Sequence, residues 1–72
     1  MAWHQGKKVE ALWSNHEAAN AWAWIDGAWR KFEDQNHDAC TNFAILAAHA
    51  KGDNRNVDAR IESGRVKEMY VW

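Results

Sequence analysis

Asn20-Ala21-Trp22-Ala23-Trp24-Ile25-Asp26 is the stretch on which the fold turns. Its alanines suit a helix, but large and small residues alternate with a period of two, the signature of a strand. In that reading Trp22 and Trp24 share one face, with Asn20 and Asp26 at its ends, and Ala21, Ala23 and Ile25 share the other. The strand breaks near Asp26-Gly27, where a glycine marks a turn or bulge, and resumes through Trp29 to Phe32.

On the N-terminal side, Lys8 to Trp13 alternates as well, with Val9, Ala11 and Trp13 on one face, and the polar run Ser14-Asn15-His16-Glu17 turns the chain. On the C-terminal side, Glu33 to Asp38 is wholly polar. Asp38 is placed to accept a hydrogen bond from the free amides of a first helical turn. From Ala39 to Lys51 the period becomes helical: Ala39, Cys40, Phe43, Leu46, Ala47 and Ala50 form one apolar stripe with Ala44 at its edge. Gly52 then supplies a left-handed stop. Ile45 and Ala48 make a smaller apolar patch on the other side, suited to a second neighbour.

The segment Asn56 to Ile61 alternates, Glu62-Ser63-Gly64 turns, and Arg65 to Trp72 returns. A three-residue loop that pairs Ile61 with Arg65 puts Val57, Ala59 and Ile61 on a face with Met69 and Val71, and turns Val66, Tyr70 and Trp72 the other way. A tight Ser63-Gly64 turn that pairs Glu62 with Arg65 brings Val66, Tyr70 and Trp72 onto the Val57 face. It also sets Arg60 opposite Lys67, so the first register is preferred. The expected fold is a single α+β domain over residues 1–72, with two antiparallel β-hairpins flanking one helix (ββαββ). Its four strands form one curved sheet or half-barrel completed by oligomerisation.

Composition supports self-association. A chain of 72 residues buries only about 60% of its unfolded surface, and with Cys40 as its sole cysteine it has no internal disulfide. Cys40 reads as a buried, reduced core residue. Six tryptophans, with Tyr70, Phe32 and Phe43, supply more aromatic surface than so thin a core encloses. A homo-oligomer, dimeric or of higher cyclic order, is therefore expected, with Trp22, Trp24, Ile45, Ala48, Tyr70 and Trp72 as candidate interface residues.

Nine basic and ten acidic residues give a formal charge of −1 and alternate along the chain. No basic stripe exists for nucleic acid, and no apolar run approaches membrane-spanning length. The first residues lack a basic region followed by an apolar one, so no signal peptide is expected and the chain is assigned to the cytoplasm. His4, His16, His37 and His49 are scattered without metal-ligand spacing, and no nucleophile–base or paired-carboxylate pattern stands out. The chain reads as non-enzymatic, with no cofactor and no metal. Asn20, Trp22, Trp24 and Asp26 are the candidate ligand site: two indole platforms flanked by an amide and a carboxylate suit a carbohydrate or another small polar ligand. A protein partner covering the same aromatic face, as for an inhibitor, accessory subunit or scaffold, is the alternative.

Overall fold

Residues 21–25 are a strand, and the alternation resolves as the sequence implies: Ala21, Ala23 and Ile25 are buried while Trp22 and Trp24 are only half-buried. At Asp26 and Gly27 the backbone enters the left-handed region, with φ of 53° and 81°. Consecutive positive φ values make a tight hairpin turn of the primed kind, so the chain reverses instead of bulging. The computed structural model describes residues 2–72. Among them the elements in order are β1 (Ala2–Ser14), β2 (Ala21–Ile25), β3 (Ala28–Phe32), α1 (His37–Gly52), β4 (Asn56–Glu62) and β5 (Arg65–Val71).

The strands close into a barrel in the order β1-β2-β3-β5-β4. This overturns the expected ββαββ half-barrel and its need for a partner to complete it. Two features of the chain produce closure. The first is the length of β1, which begins at Ala2 and not near Lys8. Its first part pairs with β4, from Ala2↔Ile61 to Lys8↔Asn56, and its second part with β2, from Val9↔Ile25 to Ser14↔Ala21. Serving two neighbours requires a bend, and register shifts between His4 and Lys7 and between Val9 and Ala11 provide it. Gly6 lies in the first of these with φ 65°, a conformation that suits glycine.

The second feature is a parallel seam between β3 and β5, formed by Lys31↔Arg65 and Phe32↔Val66. The Lys31 N–H donates to the Gly64 carbonyl at 3.0 Å. Ion pairs latch this short seam. Arg65 donates to both oxygens of Asp34, at 3.0 and 3.2 Å, Lys31 reaches Asp34 at 3.2 Å, and Lys67 pairs with Glu33. The result is a closed five-stranded barrel with one helix, α1, between β3 and β4 in the chain.

The β4–β5 hairpin combines the two registers weighed from sequence. Its turn is the tight one, with Glu62 opposite Arg65 and positive φ at Ser63 (51°) and Gly64 (75°). The register then shifts, from Ile61↔Val66 to Arg60↔Glu68, leaving Lys67 as the extra residue. Val66 therefore lies inside with Met69, against expectation, while Tyr70 and Trp72 point outward as expected. The shift also replaces an Arg60–Lys67 clash by an Arg60–Glu68 ion pair at 2.7 Å and frees Lys67 to reach Glu33.

The helix packs on β1, β2, β3 and β5. Its cap is Asn36 and not Asp38: the Asn36 side chain accepts from the Ala39 N–H at 3.0 Å. Gly52 ends the helix without a left-handed turn; that conformation falls to Asn54, φ 54°, asparagine being the other residue that tolerates it. Cys40, Ala47 and Ala50 are buried as expected, whereas Leu46 is 37% exposed. Among the described residues five of the thirteen buried apolar ones are alanines, and Phe32 is the largest side chain fully enclosed. The interior is narrow.

Arg65 and then Lys31 hold the Asp34 carboxyl far below its ordinary value of 3.8. Lys67, with the Gln35 backbone N–H, holds Glu33 below 4.5. A carboxylate whose pKa is depressed by folding contributes stability that is complete above its unfolded value and lost as pH falls through its folded one. The urea midpoint should therefore fall as pH is lowered below about 4, and Asp34→Asn should flatten that fall. A midpoint unchanged between about pH 5 and pH 2 would show that these pairs do not latch the seam.

Candidate functional site

Every tryptophan lies outside the core. Trp3, Trp13, Trp29 and Trp72 are 42–61% exposed, and Trp22 and Trp24 are half-buried. They form two groups on the barrel wall, one across β1–β2–β3 and one across β1–β4–β5.

On the first face Trp13 stands opposite Trp22, and Trp22 opposite Lys31. Trp24 stands opposite Trp29, with ring centroids 5.6 Å apart and planes at 89°, the edge-to-face arrangement that aromatic quadrupoles favour. The Lys31 ammonium sits 5.5 Å from the centre of the Trp22 ring while pairing with Asp34. Asn20 accepts from the Trp22 indole N–H at 2.8 Å and donates to Asn15 and Glu17, at 3.1 and 3.2 Å. The β1–β2 loop thus fixes both the amide and the indole. Trp13, Asn20, Trp22 and Trp29 line a shallow depression of about 370 Å³. Beside it, Trp13 and Trp22 also wall an apolar recess of about 180 Å³ that continues to Leu12, Phe32 and Ala44 on the helix.

The candidate ligand set is divided by this arrangement. Asn20, Trp22 and Trp24 lie on the face. Asp26 sits in the β2–β3 turn, where it bonds His4 Nδ1 at 2.6 Å and Lys7 at 3.3 Å. The hydrogen bonds from His4 and then Lys7 hold its carboxyl below the ordinary value. Trp13, Trp29 and Lys31 belong to the face but were not in the candidate set. The alternation put Trp13 on one face with Val9; the register shift between Val9 and Ala11 adds Glu10 to β1, so Val9 is buried and Trp13 faces outward. The signal for Trp29 was available in the Asp26-Gly27 dipeptide, which as a hairpin turn brings Trp29 beside Trp24.

Among the candidate interface residues, Ile45 is 54% exposed and Ala48 is exposed on the outer side of the helix. Tyr70 and Trp72 join Trp3 in the second aromatic group. Trp3 meets Tyr70 at 5.9 Å and 66°, and Tyr70 stacks on Trp72 at 5.9 Å and 23°. With Gln5 and Asp58 these rings line a depression of about 220 Å³.

Among the described residues no three of His, Cys, Asp and Glu gather where they could hold a metal ion, and Cys40 is buried. No helix among them is long and apolar enough to cross a membrane. Comparison with protein-family models, with curated proteins and with solved structures gives no match for this chain. The surface itself therefore carries the functional argument: an exposed tryptophan- and tyrosine-rich wall on a small barrel.

Because no indole is enclosed, acrylamide should quench the tryptophan emission of the folded protein with no protected fraction. A plateau that leaves part of the emission unquenched would place an indole inside the barrel.

Proposed function

We propose that this chain is a binding module that takes a neutral carbohydrate on its β1–β2–β3 tryptophan face. The observation that carries the reading is the grouping of Trp13, Trp22, Trp24 and Trp29 on adjoining strands around an Asn20 amide held in place by its loop. Indole faces take the apolar C–H surface of a sugar ring. The Asn20 carbonyl oxygen, which accepts one hydrogen bond from Trp22, has a second lone pair for a sugar hydroxyl, which orients the ring. The strand 2–3 face is also the usual ligand surface in some five-stranded barrels, a support by analogy only.

Charge separates sugar from nucleic acid. A single strand of nucleic acid would use the same rings for stacking but needs cations for its phosphates. Here Lys7, Lys31, Arg65 and Lys67 are paired with Asp26, Asp34 and Glu33, and Arg60 with Glu62 and Glu68. Stacking surface without an unpaired cationic track favours an uncharged ligand. A protein partner, or a second copy of this chain, is the alternative occupant, supported by the same exposed rings.

Neutral oligosaccharides of glucose, galactose, mannose and N-acetylglucosamine, titrated singly while tryptophan fluorescence is followed, test the reading. At least one should give saturable binding with a dissociation constant on the order of 10 μM to 1 mM. Trp22→Ala and Trp29→Ala should each weaken it tenfold or more, about 1.4 kcal/mol, with circular dichroism unchanged. Sedimentation equilibrium on the same samples distinguishes the occupants. Sugar binding by the monomer supports the proposal. An oligomer whose rings are shielded from acrylamide and which binds none of these sugars overturns it in favour of a protein interface. A folded monomer that binds none of them overturns it as well.

A further inference from the structure

The second aromatic face differs from the first in its electrostatics, and the difference assigns it another ligand. On the β1–β2–β3 face the protein's own Lys31 ammonium already lies over Trp22. On the β1–β4–β5 face no such contact is made at Tyr70 or Trp72 among the described residues, and a carboxylate, Asp58, lines the depression between Trp3, Tyr70 and Trp72. Among the described residues Asp58 makes no ion pair; Oδ1 accepts the Gly6 N–H at 2.8 Å, which ties the carboxylate to the bend of β1. Of the guanidinium groups near these rings, Arg60, opposite Trp3, pairs with Glu62 and Glu68, and Arg55 donates to the Trp72 carbonyl at 2.5 Å. The Trp72 backbone N–H in turn donates to Asn56 at 2.9 Å, so the outermost ring is carried on an anchored chain.

We propose that Trp3, Tyr70, Trp72 and Asp58 form a site for a quaternary ammonium group. Trp3 and Tyr70 meet at 66° and so give two walls of different orientation, which Trp72 extends. Ring faces attract a cation through their quadrupole within about 6 Å of the centroid, and the fixed carboxylate supplies the opposite charge. A primary ammonium carries three N–H donors that need acceptors. The acceptor side chains of the depression are Asp58, Gln5 and the Tyr70 hydroxyl, and Asp58 Oδ1 already serves Gly6, whereas a quaternary ammonium makes no such demand. At about 220 Å³ the depression lies below the roughly 300–1,000 Å³ of pockets that enclose drug-sized ligands, and suits a head group of this kind. The site is separate from the proposed sugar face, so either reading can fail without the other.

Choline and its neutral isostere 3,3-dimethylbutan-1-ol, titrated in parallel against ¹⁵N-labelled protein, provide the test. Choline should move the indole N–H signals of Trp3 and Trp72 saturably and leave those of Trp13, Trp22 and Trp29 in place, while the isostere binds more weakly. Asp58→Asn, which keeps an acceptor oxygen for Gly6, should weaken choline by about threefold to thirtyfold and leave the isostere unchanged. Trp72→Ala should weaken choline over a similar range, about threefold to thirtyfold. Equal binding of choline and the isostere would reduce the site to an apolar patch and overturn the proposal. So would the absence of a saturable shift, or shifts centred on Trp22 and Trp29.

Discussion

The rest of the structure depends on a short parallel contact between β3 and β5. Lys31 and Phe32 lie against Arg65 and Val66 there, with a hydrogen bond from the Lys31 amide to Gly64. Without that seam β3 and β5 are open edges, and the protein is the curved sheet that its local patterns suggest. With it every strand has two neighbours, and the need for a partner to cover an edge disappears. Asp34 and Glu33, just beyond β3, hold Arg65 and Lys67 on β5, so the seam is tied by charge where its hydrogen bonding is short.

Closure also decides where the aromatic residues go. A five-stranded barrel whose interior is largely alanine, valine and isoleucine, with Phe32 as its largest enclosed side chain, has no room for an indole. Strand geometry then puts Trp22 and Trp24 on the face opposite Ala21, Ala23 and Ile25. The register shifts in β1 and β5 set Trp13, Tyr70 and Trp72 outward as well. The tryptophans are thus spent on the wall instead of the core, and hydrogen bonds such as Trp22 to Asn20 hold some of them in fixed poses. A small protein that places its largest apolar groups outside and pairs most of its charges has a surface built for contact.

What could be read from the sequence was local. The alternation of residues 21–25 and the helix through residues 39–50 follow from periodicity, and the structure has them, whereas the expected outward direction of Tyr70 and Trp72 is reached through a tight turn and the extra residue Lys67. The seam was not legible, because Lys31 and Arg65 carry no pairing signal across the intervening helix. The first part of β1 was hidden because Trp3-His4-Gln5-Gly6-Lys7 has no period of two and spans a bend. Single extra residues did the most damage: Glu10 reversed the facing of Trp13, and Lys67 brought Val66 inside. Asp26 was assigned to the tryptophan face by extending an alternation through residues that in fact make a turn. The candidate site was legible as chemistry, two indoles and an amide, while its partners Trp13 and Trp29 depended on pairings between strands.

Nuclear Overhauser contacts across β3 and β5 in isotopically labelled protein test this account at its centre. Backbone contacts between Phe32 and Val66, with slow solvent exchange of the Lys31 amide, are the predicted result. An absence of those contacts, with the Lys31 amide exchanging as fast as an unprotected loop amide, would show an open sheet and contradict the closed barrel on which both proposed sites rest.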